Sequence, residues 1–185
     1  GFLQVLQSGA DTLLQWDSDG AAGPAGWVTR ITVANTDDAA LVGGLTGNFL
    51  GPIIGTNASE LLEGGAGTDV LTGGAGRDVL SGGTERDVFV LTNLADTSPL
   101  LASCDLITEF DARLDDLDVR LIDANPTRAG DQAFTWRGTS AITGIGQMNM
   151  VYDAVANVTL IQGNTDAATS TLEFVVALTG DLTGT

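Results

Sequence analysis

Residues 64–90 read GGAGTDVLT, GGAGRDVLS and GGTERDVFV, three consecutive units of nine residues in one register. Each unit has glycine at positions 1 and 2, aspartate at position 6 and apolar residues at positions 7 and 8. This is the period G-G-x-G-x-D-x-U-x, where U is a large apolar residue, of calcium-binding parallel β-helices. The alternative is a flexible glycine-rich linker, which has no reason to keep these positions in step through three copies.

The spacing of the unit has a physical reason. Glycines allow the six-residue turn to adopt backbone angles with positive φ that other residues avoid. The last three residues are long enough for a short strand, so that two units close one coil. The next coil stacks above it at the parallel-strand spacing of about 4.8 Å. The sequence therefore predicts a right-handed parallel β-roll in which Asp69 lies over Asp87.

Stacked aspartates predict a bound cation. Two carboxylates about 5 Å apart repel by about 3 kcal/mol at an effective dielectric near 20. A hard ion that takes roughly six to eight oxygens accepts both carboxylates together with turn carbonyls, which favours Ca²⁺ over the strict octahedron of Mg²⁺. Calcium is the cofactor that we expect.

Degenerate copies of the unit lie on both sides of the three clear ones. Residues 55–63 keep the register with Glu60 at position 6, and residues 91–96 have lost the glycines but place Asp96 there. We therefore expect three calcium sites. They join turn 55–60 to turn 73–78, turn 64–69 to turn 82–87, and turn 73–78 to Asp96.

These units resemble the repeats of the RTX (repeats-in-toxin) family. In that family the earlier turn gives the carbonyls of positions 2 and 4 and the acid of position 6. The later turn gives carbonyls 1 and 3 and its own acid. By position, the resemblance implies the ligands Thr56, Ala58, Glu60, Gly73, Ala75 and Asp78 in the first site, Gly65, Gly67, Asp69, Gly82, Thr84 and Asp87 in the central site, and Gly74, Gly76, Asp78 and Asp96 in the third.

The residues after the repeats resemble the serralysin C-terminal domain. Residues 105–111 and 116–125 match its two acid-flanked strands, and the resemblance implies that Asp105 completes the last calcium site as the partner of Asp96. A solvated acid at a strand start is the alternative. Short alternating apolar patterns follow to the end of the sequence and are typical of strands. In that family they form a sandwich-like cap that contains the target region for type I secretion.

The first 50 residues contain a partial duplicate of the tail, which predicts a second β-hairpin unit from the end of a preceding RTX block. The loop that contains Asp17 and Asp19 fits either a further calcium site or a plain hairpin turn. The matching residues are Thr12, Leu13, Gln15 and Asp19 in the first copy and Thr159, Leu160, Gln162 and Asp166 in the second.

Position 7 of the units is apolar as well as position 8. We expect position 8 to face the inside of the roll. The position 7 side chains either lie under flanking segments or reflect strand propensity alone. Together these patterns predict an all-β chain: a hairpin unit over 1–50, a calcium-binding parallel roll over 51–105, and an antiparallel, sandwich-like cap with the secretion-target region over 106–185.

The composition narrows the function. The chain has 185 residues and a net charge of −17, which makes nucleic acid and anionic membranes poor partners. It has no histidine and no lysine, so the commonest catalytic base is missing. We interpret the single cysteine, Cys104, as structural or incidental, and we expect no membrane span.

The expected function is therefore a non-catalytic, calcium-binding module of a secreted bacterial protein. It would couple calcium binding to folding outside the cell and to export by the type I secretion machinery. The alternative is a surface adhesin or an S-layer-like structural module, assembled through calcium, which would self-associate or bind a cell-surface glycan. An enzyme is not expected.

Overall fold

The computed structural model describes residues 2–8, 11–17, 27–33, 52–168 and 171–184. The chain divides into two compact units, Gly1–Gly51 and Pro52–Thr185. The first unit contains an antiparallel sheet of order β1-β2-β3. Its strands are β1 (Phe2–Ser8), β2 (Asp11–Asp17) and β3 (Trp27–Val33).

Parallel strands of the second unit form a four-stranded sheet of order β10-β8-β6-β4. Its strands are β4 (Ile53–Ile54), β6 (Val70–Thr72), β8 (Val88–Val90) and β10 (Asp116–Asp118). Leu71 pairs with Ile53 on one side and with Phe89 on the other. Each pairing joins residues two units apart, which is the coil length that the repeat predicted.

A seven-stranded sheet of order β11-β12-β13-β14-β9-β7-β5 makes up the rest of this unit. Its strands are β5 (Leu61–Ala66), β7 (Val79–Thr84), β9 (Asp105–Thr108), β11 (Thr135–Trp136), β12 (Gln147–Asp153), β13 (Val158–Asn164) and β14 (Phe174–Thr179). Strands β5, β7, β9 and β14 are parallel, and β12, β13 and β14 are antiparallel. The predicted all-β fold with a parallel roll is thus confirmed. The boundary predicted after residue 105 falls inside β9, because one sheet runs through roll and cap.

The apolar core lies between the two sheets. Position 8 of the repeats faces it, since Leu71, Leu80 and Phe89 are at most 3% exposed. Position 7 faces outward, and Leu61 and Val70 are exposed at 64% and 37%. The outer face of the first two copies is therefore not covered by the described residues. A smaller apolar cluster on the other side of the large sheet contains Cys104, whose thiol pKa is raised by burial.

The duplicated hairpin forms in both places. When the two copies are aligned, β2 begins and ends at the residues that match the ends of β13. Strands β3 and β14 begin at the matching residues Trp27 and Phe174. Each pair is antiparallel. The loop with Asp19 lies outside the described residues, as does the side chain of Asp17, so the possible calcium site there stays a prediction.

Candidate calcium sites

The turns of the roll need glycine for two reasons. Gly65, Gly74 and Gly83 occupy position 2 with φ of 104°, 86° and 100°, a region that L-residues rarely enter. The stacked turns also approach closely. A Cβ on Gly83 would lie 1.9 Å from the carbonyl oxygen of Gly65, and one on Gly74 would lie 2.0 Å from that of Thr56.

Carbonyl oxygens of the predicted ligands occupy the space between stacked turns. The carbonyl oxygens of Thr56 and Gly65, from the earlier turn of each pair, lie against the turn above. Those of Gly73 and Gly82, from the later turn, lie 2.1 and 2.5 Å from where a Cβ of Gly55 and Gly64 would be. The other predicted carbonyl donors, Ala58, Gly67, Gly74, Ala75, Gly76 and Thr84, belong to the same turns.

Acidic side chains form a column on one side of the roll, which we name column A and define as Glu60, Asp78 and Asp105. The amide of Glu60 donates to Oδ1 of Asp78 at 2.8 Å. The amide of Asp78 donates in turn to Oδ1 of Asp105 at 2.9 Å. Asp105, a predicted ligand, thus takes the position 6 place in the coil after Asp78.

Column B, on the opposite side, consists of Asp69, Asp87 and Asp115. The amide of Asp69 donates to Oδ1 of Asp87 at 2.8 Å, and that of Asp87 to Oδ1 of Asp115 at 2.9 Å. The sequence analysis missed Asp115, because its distance from Asp87 along the chain is not a multiple of nine. The available signal was its position directly before the short strand β10, where each repeat has its aspartate.

Asp96 has a different place from the one expected for a position 6 acid. Its carboxylate accepts hydrogen bonds from Thr92 and Asn93 and caps the 3₁₀ turn Leu94–Asp96. The segment 97–105 then leads to Asp105, which stacks on Asp78 instead. Asp96 lines a cavity of about 570 Å³ together with residues 55–57 and residues of the segment 72–75. It therefore lies next to the turns of the first and third predicted sites.

Several buried carboxylate oxygens lack a hydrogen-bond donor. Within the described residues, no donor reaches either carboxylate oxygen of Asp69, Oδ2 of Asp78 or Oδ2 of Asp87. These three residues are at most 1% exposed. An unpaired buried polar group costs about 1–3 kcal/mol, and a charged one costs more. A hard cation with oxygen ligands fits these orphaned oxygens.

The cation would need backbone ligands as well. In the part of the chain that the structure describes, no group of three or more Asp, Glu or Cys side chains is placed to hold a metal ion. The turn carbonyls supply the remaining oxygens that Ca²⁺ requires. The residues present therefore fit calcium, with two carboxylates from stacked turns and the rest of the shell from the backbone.

Burial sets the charge state of the columns. It raises the pKa of Asp69, Asp78 and Asp87. The pKa of Asp105 is raised to about 7, first by burial and in addition by the charges of Asp78 and Asp96. Without a cation, burial therefore works against the ionised form of each of these side chains.

Glu60 at the first turn differs from the aspartates. The hydroxyl and the amide of Thr56 donate to its carboxylate, and these bonds lower its pKa. In the degenerate first copy, hydrogen bonds from Thr56 thus favour the ionised form of Glu60.

Comparison with known proteins supports the repeat assignment. Residues 54–89 match the family of the RTX calcium-binding nonapeptide repeat, in four copies, which confirms the resemblance over this segment. No curated protein matches the chain.

Two solved structures of a mannuronan C5-epimerase from Azotobacter vinelandii resemble the chain. The AlgE6R3 subunit is 24% identical over 75% of this chain and 77% of that one, with a TM-score of 0.48. The AlgE6R2 subunit is 25% identical over 71% of this chain and 85% of that one, with a TM-score of 0.37.

Proposed function

We propose that the chain is a non-catalytic module whose Pro52–Thr185 unit folds around calcium ions held between stacked turns. The observation that carries this proposal is the set of buried carboxylate oxygens on Asp69, Asp78 and Asp87 that no donor among the described residues reaches. The net charge of the chain is −17, and burial of these carboxylates opposes folding until a cation binds between them. Binding energy is then folding energy, as in other proteins whose metal site does not exist in the unfolded chain.

Residue chemistry supports a role in binding without catalysis. The chain has no histidine and no lysine. Four column acids, Asp78, Asp87, Asp105 and Asp115, accept hydrogen bonds between coils, and Cys104 is buried in an apolar cluster. Among the described residues there is no helix long and apolar enough to cross a membrane.

We further propose that calcium couples folding to export. Calcium sites of extracellular modules have dissociation constants of about 10⁻⁴ to 10⁻³ M. Such sites stay empty in a cytoplasm that is poor in calcium and fill outside the cell. Without calcium the fold would then be only marginally stable, so that the chain can pass unfolded through a type I secretion system, and calcium would stabilise the fold after release.

Circular dichroism and calorimetry test the binding proposal. The calcium-free chain should gain β-structure on addition of millimolar Ca²⁺ and much less with Mg²⁺. Asp78→Asn should bind fewer calcium ions, whereas Asp131→Asn, a change at an exposed acid outside the columns, should bind as many as the unchanged chain. Identical spectra with and without calcium would contradict the proposal.

Export of a fused passenger tests the secretion proposal. A slow-folding passenger placed before the chain should reach the medium of a host with a type I secretion system. Substitution of Asp69, Asp78 and Asp87 by Asn should lower the folded, protease-resistant yield in medium with calcium, because the released chain no longer folds. Equal yields of resistant protein from both forms would count against the coupling.

A further inference from the structure

The outer face of the seven-stranded sheet, which points away from the core between the two sheets, contains a continuous apolar row. Cross-strand pairing places one apolar residue from each of six neighbouring strands side by side. We name this set the outer row: Leu61, Val79, Leu106, Ala177, Leu160 and Val151. The row faces outward because the alternate residues Leu80, Ile107 and Leu178 belong to the core. It crosses from the first coil of the roll into the cap over about 24 Å.

The outer row is only partly covered. Leu61 and Val151, at its two ends, are 64% and 41% exposed. Val79, Leu106 and Leu160 between them are half-buried, and the alanine of the row is buried. Apolar residues that are exposed singly need no explanation, but a contiguous exposed set marks an interaction surface.

Arginines lie along one side of the outer row. Arg77 precedes Val79 by two residues, and its charge influences the thiol of Cys104 on the same face. Arg137 donates its amide to the carbonyl of Met148, at the same end of the row as Val151. Both arginines are exposed, and neither forms an ion pair with any residue that the structure describes.

Acids lie along the other side of the outer row. Glu63 and Asp153 follow it by two residues on β5 and β12, and residues two apart on a strand share a face. Glu109 joins them, because its carboxylate accepts the hydroxyl of Ser81 on β7 at 2.7 Å. The strands β5, β7, β9, β14 and β12 run in one direction, so the arginines and the acids are on opposite sides of the row.

We propose that the outer row is the contact surface between two copies of this chain, packed sheet against sheet about a two-fold axis that runs along the row. Rotation about this axis places the arginine side of one copy over the acid side of the other. Arg77 then faces Glu63 and Glu109 of the second copy, and Arg137 faces Asp153 of the second copy. An axis along the strands would instead place acids over acids, and like charges in an interface are unfavourable.

The dimer goes beyond calcium binding and should be weak. The outer row and the residues on its two sides cover about 24 by 14 Å. This is small beside the roughly 800 Å² that each partner buries in a standard interface. Because β5 and β7 of the roll supply part of the surface, the dimer requires the folded roll.

Analytical ultracentrifugation of the full chain in calcium tests the dimer by exchange of charges. The unchanged chain should show a concentration-dependent equilibrium between monomer and dimer. Arg77→Glu and Glu63→Arg should each weaken the association several-fold, and the double variant should restore it, because the two charges exchange places. Arg128→Glu makes the same change of net charge at an exposed loop residue between β10 and β11 and should leave the association unchanged. A double variant no better than the single ones would overturn the proposed pairing.

A second pair of variants tests the apolar part of the surface. Val151→Thr keeps the shape of the side chain and should weaken the dimer several-fold. Val155→Thr, at a residue that is 99% exposed in the turn after β12, should not. Circular dichroism with and without calcium separates this inference from the proposed function. Identical spectra would overturn the proposed function alone, whereas a folded chain that stays monomeric at every concentration would overturn the dimer alone.

Discussion

At the scale of single residues, the ionised acids of the two columns should destabilise the calcium-free fold and stabilise the calcium-bound fold. Asp78, Asp87, Asp105 and Asp115 each accept an amide from the coil before, and these bonds align the coils. Burial nevertheless raises the pKa of Asp69, Asp78, Asp87 and Asp105. The calcium-free fold is therefore more stable when these side chains are protonated, and the calcium-bound fold when they are ionised.

The pKa of Asp105 indicates the pH range in which the stability of the calcium-free protein should change. Its pKa rises from 3.8 in the unfolded chain to about 7 in the fold, so between these values the folded protein holds a proton that the unfolded chain has released. Stability of the calcium-free protein should then fall as pH rises through about 7. Thermal midpoints from pH 5 to pH 8 check this. Asp105→Asn should flatten the profile, and with excess calcium the unchanged chain should show the opposite slope. Equal midpoints at both ends in calcium-free buffer would contradict it.

Gly83 allows a prediction with a matched control. Gly83→Ala meets a carbonyl oxygen at 1.9 Å in addition to an unfavourable φ of 100°, whereas Gly138→Ala has a φ of 59° and no atom within 4 Å. The left-handed region alone costs a residue roughly 1–2 kcal/mol, so Gly138→Ala should lose about that much. Gly83→Ala should lose clearly more and bind calcium more weakly. Calcium titrations and denaturant unfolding measure both, and equal losses would mean that the turns separate without cost.

At the scale of elements, the cap supplies the last member of each column. Asp105 begins β9, which pairs with β7 of the roll and with β14 of the cap. Asp115 directly precedes β10, which pairs with β8. The roll therefore depends on strands whose own position depends on the cap, and the cap should form first or together with the last coil.

A substitution of Phe174, in the core of the cap, tests whether the roll depends on the cap. Its ring is 0% exposed, lies on Gly163 and contacts Phe134 with centroids 5.6 Å apart. Phe174→Ala should cost about 3–5 kcal/mol and should also lower calcium affinity, although Phe174 is no ligand. Ile54→Ala, at a side chain that is 68% exposed in the first coil, serves as the control. If calorimetry finds the same affinity in Phe174→Ala and the unchanged chain, the roll folds without the cap.

At the scale of the whole molecule, the excess of negative charge destabilises the calcium-free fold. The 24 acids outnumber the 7 arginines, and in the described part of the chain two arginines form ion pairs, Arg86 with Asp116 and Arg120 with Asp118. Self-repulsion of this size destabilises a compact state. Calcium bound as proposed would remove this repulsion locally, at the columns, where solvent screening is weakest.

Salt should therefore act differently on the two forms. In calcium-free buffer at pH 8, an increase of sodium chloride from about 0.01 to 0.5 M shortens the Debye length from about 30 Å to a few ångströms. The thermal midpoint should then rise by several degrees. In excess calcium the same change should have little effect or a small opposite one, because ions compete for the sites. A similar rise in both forms would show that surface charge alone, rather than the columns, controls stability.

The sequence by itself determined the repeating part of this protein. A period of nine, with glycine where φ is positive and apolar residues at position 8, is a local rule, and such a rule predicts the turns, the register of two units per coil and the acids Asp69, Asp78 and Asp87. The ladders Ile53–Leu71–Phe89 and Leu62–Leu80 follow this register. The inward direction of Leu71 and Phe89 follows too, because successive strand residues alternate between the two faces.

Only the tertiary structure decided how the repeating part ends. Asp105 stacks on Asp78 and Asp115 on Asp87 across unequal stretches of chain, and no common period connects them, because the loops between them vary in length at little cost. Their places depend on the pairing of β9 with β14 and of β10 with β8, contacts between strands far apart in sequence. For the same reason the sequence assigned Asp96 to the place that Asp105 takes, and it divided roll from cap where the fold continues one sheet.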